Sequence, residues 1–407
     1  MTRARRTAAG DWPHLVILDP FNAGLAIARR MARLGARVTM LVDPDDLFVN
    51  HTRSACSIVE PFGRDGSSWI AKLRDIAAAA EQIVVLPATD RSCELLFDTA
   101  QQLPANVHFF ERGQAGAHMA LMDKRQAEEI ARRAGVRVPW TMQVNNETEL
   151  AIATREAPWP CVVKPILSHE WRGLYGGVRA FPVADAQEAE AQLARPLRDG
   201  VGMLLSQYVP GGDDDVEEAI VVRLADGSYP VQFGCHKLRQ HPPGFGVTAV
   251  GEASTLPETM ALAKRVLDEA GFVGVAGVEA KRHSETGERW FLEVNVRIPG
   301  QWGLGDSCGV QATPRLTRAL QGYPVGPQPS LRAGVRIVFP DIDAHVIRPT
   351  LSAAPLFSRP WVALRMMRAY LGARNFGLID VRDPGPTLAW ASLLVRRRLG
   401  RRKGTAD

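Results

Sequence analysis

Two periodicities alternate along the chain, and each switch between them marks an element. In the N-terminal part, continuous apolar runs are joined by stretches of helical period. His14-Leu-Val-Ile-Leu-Asp19 and Arg37-Val-Thr-Met-Leu-Val42 have the pattern of buried strands, and a helical pattern over 25–34, stopped at Gly35, joins them. Gln82-Ile-Val-Val-Leu-Pro87 is a further strand. Strand, helix, strand in that order implies a parallel sheet. The turn Asp19-Pro-Phe-Asn-Ala-Gly24 holds one glycine and lacks the GxGxxG phosphate loop, which argues against dinucleotide binding. Ala88-Thr89-Asp90 follows the carboxyl end of a strand, the edge where open α/β sheets take ligands. Asp90 and Arg91 there either face a ligand or cap the helix that begins near Cys93.

From about His118 the pattern changes. Asp123-Lys124 opens a helix that runs to Gly135, and Pro158-Trp-Pro-Cys-Val-Val-Lys-Pro165 is a strand closed by proline. The stretch 166–177 carries Gly173, Gly176 and Gly177 with little periodicity and reads as a mobile flap. Gly202-Met-Leu-Leu-Ser-Gln-Tyr-Val-Pro210 runs from strand to turn, and two strands follow, with a hairpin at 225–228. A helix is predicted over 258–270, then a hairpin, then helices near 360–371 and 386–399. No repeats or low-complexity segments interrupt this order.

The densest chemistry lies in Trp290-Phe-Leu-Glu-Val-Asn-Val-Arg297. Side chains on a strand alternate faces, so Glu293, Asn295 and Arg297 point one way. Phe291 is expected on that face too, with Leu292, Val294 and Val296 turned to the core. His283-Ser-Glu-Thr-Gly-Glu288 reads as a hairpin loop. Centred on Thr286, it sets Glu279 opposite Glu293. Two carboxylates and an amide oxygen then converge beside a guanidinium. Hard oxygen ligands on one wall suit Mg²⁺, which keeps waters and takes its remaining ligands from phosphates. Lys124, Lys164 before the flap, and Lys237 with Arg239 on one strand face supply the matching cations. Just past the strand, Gln301 and Trp302 are candidates for substrate contact, with core packing of Trp302 as the alternative.

Composition narrows the class. A chain of 407 residues, 46% hydrophobic and 23% charged, is long enough for two or more soluble domains. Cys56, Cys93, Cys161, Cys235 and Cys308 are scattered, with no CxxC or Cys/His cluster. That spacing argues for a reducing compartment, and against zinc or a disulfide framework. No apolar run is long enough to span a membrane, and the basic N-terminus leads into no secretory core. Cytoplasmic placement is expected. The net charge of +5 comes from the C-terminal end, where Arg396, Arg397, Arg398, Arg401, Arg402 and Lys403 gather. A chain-wide nucleic-acid footprint is absent. The tail's apolar and basic halves suit either a fraying solvated helix or peripheral contact with an anionic membrane through 396–403.

The ordered set Asp123-Lys124, Lys164-Pro165, Ser206-Gln-Tyr-Val-Pro-Gly211, Lys237-Leu-Arg-Gln240, Glu279 and Glu293-Val-Asn-Val-Arg297 resembles the ATP-grasp superfamily of ligases, from about residue 14 to 325. It is most similar to carboxylate–amine ligases such as D-aspartate ligase. The resemblance implies a multidomain α/β and α+β chain: a Rossmann-like pre-ATP-grasp domain over 1–117, a small lid subdomain over 118–205, a central subdomain with the metal site over 206–330, and a C-terminal extension over 331–407. It implies that Lys124 and Lys164 contact ATP phosphates, and that Ser206, Gln207, Tyr208 and Val209 form the adenine hinge. Asp214 or Glu217 would bind ribose, and Glu279, Glu293 and Asn295 would hold Mg²⁺, two ions, with Mn²⁺ acceptable. Lys237, Arg239 and Arg297 would stabilise phosphoryl transfer. Val296 stands where relatives place proline, and Ser206 where many place an adenine-binding glutamate. The implied reaction joins a small-molecule carboxylate, activated as acyl-phosphate, to an amine, releasing ADP and phosphate. A kinase or a catalytically silent ATP-binding protein are the alternatives, and the chain is compatible with a homodimer.

Overall fold

The computed structural model describes residues 12–44, 48–110, 115–166 and 180–403. The expected flap, including His169, Glu170, Trp171 and Arg172, lies outside the described residues. Five strands, β1 (His14–Leu18), β2 (Val38–Val42), β3 (Cys56–Val59), β4 (Ile83–Pro87) and β5 (Val107–His108), pair in parallel in the order β3-β2-β1-β4-β5. Chain order reverses between β1 and β4, so the loops after these two strands open onto one crevice. Helix α1 (Phe21–Ala32) begins ahead of its predicted start. The reason is Gly24: a Cβ there would meet Pro20 Cβ at 2.5 Å and Ile17 Cγ2 at 2.9 Å, so only glycine lets the first turn press onto β1. Helices α2 (Ser67–Ala78) and α3 (Asp90–Asp98) cover the opposite face, where Val16, Leu18, Trp69 and Leu73 are buried together.

Helices α4 (Ala115–Met122) and α5 (Lys124–Arg133) lead into a second sheet. Its strands β6 (Thr141–Val144), β7 (Cys161–Pro165), β8 (Phe181–Val183) and β9 (Met203–Gln207) pair antiparallel in the order β6-β9-β7-β8. Helices α6 (Glu147–Glu156) and α7 (Ala186–Arg198) back it, burying Leu150, Leu193 and Leu205 in a small core of its own.

The third sheet contains β10 (Val216–Arg223), β11 (Val231–His241), β12 (Val247–Ser254), β13 (Gly274–Arg282), β14 (Arg289–Asn295), β15 (Arg336–Val338) and β16 (Ala373–Asn375). Its order is β14-β13-β10-β11-β12-β15-β16. One face, with Val221, Ala276 and Val278, packs on α5 and on α8 (Pro257–Glu269). The other face, with Ile220, Phe233 and Val275, shares a continuous core with Leu15, Ile17 and Ile27 of the first sheet. Between them lie α9 (Trp302–Ser307) and α10 (Ala312–Leu320). Trp302 is fully buried there, and its indole N–H donates to Thr313 Oγ1 at 2.8 Å, so it is a core residue.

The hairpin pairs Glu279 with Glu293 as the sequence predicts, and then departs from it. Opposite Glu279 and Ala280 stand Glu293 and Phe291, leaving Leu292 as a bulge. The extra residue reverses the alternation beyond it. Phe291 therefore turns to the core face with Val294 and Val296 and is fully buried, a correction to its expected place beside Glu293.

The C-terminal part adds α11 (Pro340–Ala353), α12 (Arg359–Met367) and α13 (Gly385–Lys403). A buried ion pair ties it back to the first domain. Arg29 Nε donates to Asp383 Oδ2 at 2.8 Å, and Arg29 Nη1 to the Gly377 carbonyl at 2.7 Å. Thr52 Oγ1 and the Arg53 N–H also donate to Asp383. Replacing Arg29 with Met would strand a buried carboxylate. We expect a loss of about 3–5 kcal/mol in denaturant unfolding, and a loss below about 1 kcal/mol would mean that the tether is incidental.

Candidate active site

Three neighbouring strands carry one carboxylate each in register: Glu218 on β10 faces Glu279 on β13, and Glu279 faces Glu293 on β14. Lys237, on β11, is buried, and its Nζ donates to Glu279 Oε2 at 2.8 Å. Burial works against its charge, but Glu279 and Glu218 outweigh that cost and hold the ammonium above its usual pKa. Asn295 lies across from Gly277. A Cβ on Gly277 would stand 2.2 Å from Glu218 Oε1, so the glycine leaves room for that carboxyl group. Gln301, just past β14, donates through Nε2 to Glu218 Oε2 at 2.7 Å and to Thr248 Oγ1 at 2.6 Å.

Glu218 was not among the residues singled out from sequence. Val216-Glu217-Glu218-Ala219 shows two glutamates in succession, and nothing local says which one faces the site. Alternation decides it once the strand is placed. Glu218 shares its face with Ile220 and Val222, and Glu217 takes the other. Glu217 accepts two bonds from Arg289, at 3.1 and 3.2 Å, and a third from Thr259 Oγ1 on α8. The structure thus sets Glu217 on the opposite face of the sheet from the carboxylate row. Asp214 is exposed in the turn Asp213–Asp215, with its carbonyl against His236 Nε2.

Arg297 connects the row to the first domain. Its Nε donates to Asp90 Oδ1 at 2.8 Å and its Nη2 to Asn295 Oδ1 at 3.3 Å. Burial opposes the guanidinium charge, but Asp90 outweighs it and the pKa rises. Asp90 is the first residue of α3, with Thr89 as N-cap accepting from Ser92 N–H, so it sits at the crevice that the strand order predicts. The neighbouring Arg91 donates to Asp19 at 2.5 and 2.7 Å. The 88–91 turn therefore caps a helix, as one of its two readings expects, and also sets Asp90 against Arg297.

Most of the residues expected to meet a nucleotide lie on and beside the four-stranded sheet. Lys164, at the end of β7, donates to Glu128 Oε1 on α5 at 2.8 Å. Lys124 is the first residue of α5, whose N-cap is Asp123. Ser206 is buried, with its hydroxyl 2.9 Å from that of Thr141. The N–H groups of Gln207 and Tyr208 donate to the carbonyls of Trp140 and Pro160. The Lys281 ammonium lies 4.5 Å from the Tyr208 ring centroid, and Val209 is buried. Arg239 is engaged elsewhere. Register shifts flank it, and its guanidinium is held by Asp343 at 2.6 and 2.8 Å and by the Met366 carbonyl. The expected pairing of Arg239 with Lys237 at one site does not occur, because the C-terminal helices claim its donors.

Among the described residues, no three His, Cys, Asp or Glu side chains form a metal cluster. The Glu279, Glu293 and Asn295 set has only two carboxylates and an amide oxygen. Hard oxygens few in number fit a cation that completes its shell with water and phosphate. Cationic nitrogens already sit on two of these oxygens, Lys237 on Glu279 and Arg297 on Asn295, so the donors are aimed at positive charge.

Burial, with the Glu279 charge second, pushes the Glu218 carboxyl from its usual 4.5 up to about 8. A folded-state pKa above the unfolded one means that the native state holds the extra proton across that window. Stability from this group is full below about 4.5 and declines as pH rises toward 8. Melting curves of the metal-free protein should show Glu218→Gln losing less stability than wild type between those limits. Parallel curves would refute the burial of this charge.

No family profile and no curated protein matches the chain at the sequence level. Solved structures match it strongly in fold. An N5-carboxyaminoimidazole ribonucleotide synthetase in its ADP complex superposes with a TM-score of 0.63 at 19% identity, covering 84% of this chain and 85% of that one. Biotin carboxylase from Campylobacter jejuni gives 0.60 at 15% identity, over 80% and 74%. An L-amino acid ligase from Bacillus licheniformis gives 0.60 at 17%, over 81% and 80%. With these likenesses over some four-fifths of its length, the chain has the ATP-grasp fold, preceded by a Rossmann-like domain.

Proposed function

We propose that this protein is an ATP-dependent carboxylate–amine ligase. The observation that carries the reading is the in-register row Glu218, Glu279 and Glu293 with Lys237 and Arg297 lodged in it. Such a wall serves a reaction in which phosphate oxygens arrive with cations and negative charge moves between them. The ligases of similar fold support the choice of reaction class.

In this reading Glu279, Glu293 and Asn295 hold Mg²⁺, as one or two ions, with Mn²⁺ accepted by the same donors. When bound, the metal neutralises phosphate oxygens. The chain's own residues do the rest. Lys237 is buried, held charged, and placed beside the row, so it stabilises charge on the transferring phosphoryl group. Arg297, fixed by Asp90, orients the carboxylate substrate. Lys124 and Lys164 contact the nucleotide phosphates, Lys164 exchanging Glu128 for them. Backbone groups at Gln207 and Val209 hold adenine beside Ser206 and Tyr208, and Asp214 is the remaining acid for ribose. The substrate carboxylate attacks the γ-phosphorus to form an acyl-phosphate and ADP. The amine then attacks the carbonyl, and phosphate leaves. No enzyme nucleophile is required. Four of the five cysteines are buried, and desolvation raises the thiol pKa of each of these, which suits a packing role.

In this reading the substrates are small molecules, and no nucleic-acid partner is expected, since the net positive charge gathers at the C-terminal end. Cytoplasmic action, where ATP is available, fits the five free cysteines. No helix among the described residues is long and apolar enough to cross a membrane.

A screen of amino acids and peptides for ADP release, with product analysis, tests the reaction. The expected products are an amide, ADP and phosphate. A phosphorylated product without free phosphate would make the protein a kinase, and ATP binding without ADP release would make it a silent binder. Glu293→Ala should lower turnover by at least about a hundredfold, and unchanged turnover would remove the metal assignment. Lys164→Ala should raise KM for ATP about tenfold, with a smaller loss of stability, since buried Glu128 keeps Arg132 at 3.5 Å. Arg239→Met should instead lower thermal stability, since it strands the buried Asp343.

A further inference from the structure

The C-terminal helices present an apolar face that nothing in the described chain covers. Leu356 and Phe357, in the turn before α12, are 77% and 85% exposed, and Trp361 is 74% exposed. Leu364, Met367 and Leu371 continue the face. Spacings of three, four and seven residues place Phe357, Trp361, Leu364, Arg368 and Leu371 along one stripe. The opposite side of α12 is spoken for, since Val362 and Met366 pack with Ala249 and Val346.

Charge on the segment that carries this stripe is of one sign, and nearby Glu252 is held by Arg336. From 344 to 379 there is no Asp or Glu, while Arg348, Arg359, Arg365, Arg368 and Arg374 fall within it. Arg348, Arg365, Arg368 and Arg374 are exposed. A groove of about 440 Å³ opens beside the stripe, lined by Ala344, Ile347, Leu351 and Tyr370, with Arg348 at its wall. Helix α13 separately exposes Leu388, Leu394 and Val395 and runs into the arginine-rich end of the chain.

We propose that this surface docks the protein on an anionic phospholipid bilayer, with Leu356, Phe357 and Trp361 entering the interface and the arginines contacting phosphate headgroups. Exposed aromatic and aliphatic tips within a cationic rim are what such an interface selects. A symmetric contact with a second copy is disfavoured, because it would set this acid-free arginine surface against itself. Of the acids that flank this segment, Asp343 is held by Arg239, Asp380 by Arg33 and Asp383 by Arg29, and Asp341 is half-buried. They do not offset the positive field of this face.

Flotation of the full-length protein with phosphatidylglycerol–phosphatidylcholine vesicles, against pure phosphatidylcholine vesicles, tests the proposal. Wild type should float with the anionic vesicles and release as salt rises. The triple variant Leu356→Ser, Phe357→Ser, Trp361→Ser should bind about tenfold more weakly while melting like wild type. Arg365→Glu with Arg368→Glu should weaken binding to the anionic vesicles comparably. Removing 391–407 separates the tail from this face, and the truncated chain should keep binding that the triple change weakens about tenfold. The proposal fails if wild type does not float, or if the triple variant floats as well as wild type. It also fails if wild type sediments as a dimer that the triple variant dissolves, since a second copy would then be the occupant.

Discussion

Charge balance on one sheet face is the constraint around which the molecule is arranged. Glu218, Glu279 and Glu293 stand on adjacent strands at register, and three carboxylates so placed cannot all stay ionised without cations among them. Lys237 and Arg297 supply positive charge inside the fold, and protonation of Glu218 relieves the rest. A divalent cation entering the row would take over that role. The site is therefore poised for positive charge before anything binds, and its stability depends on pH through the carboxyl that is most buried.

The same residues hold the domains together. Arg297 reaches from just past the end of β14 to Asp90, the first residue of a helix that packs on the N-terminal sheet. Nearby, the Cys93 thiol points at the Val296 carbonyl. Packing continues below in one core shared by both sheets. The reversal of strand order at β1 and β4 opens a crevice at whose edge Asp90 meets Arg297, so the N-terminal sheet and the carboxylate row touch across one short contact. Lys164 on the four-stranded sheet ties that sheet to α5 through Glu128.

Where sequence reasoning succeeded and failed can be traced to particular residues. The hairpin register was legible because its loop is short and turn-like, and a short loop leaves strands one pairing. Phe291 was misplaced because a single bulge at Leu292 reverses alternation, and no local residue type announces it. Glu218 and Glu217 are adjacent and chemically alike, so only the sheet could assign them to opposite faces. Arg239 has the right chemistry for a phosphate, yet Asp343, far along the chain, claims it. The helices that were read from sequence lie within a few residues of their places, since amphipathic period depends on local spacing, while others, such as Ser67–Ala78 and Pro340–Ala353, were not read.

By itself the sequence determined the order of elements, the pairing of Glu279 with Glu293, and a set of cations and hard oxygen donors that resembles one ligase superfamily. Each rests on local periodicity or on the chemistry of a single residue. The tertiary structure alone decided which of those groups meet, that Glu218 completes the row, that Gly277 leaves space for it, and that Arg239 serves the fold. Those outcomes depend on contacts between residues far apart in the chain, where burial and the competition of partners set the answer.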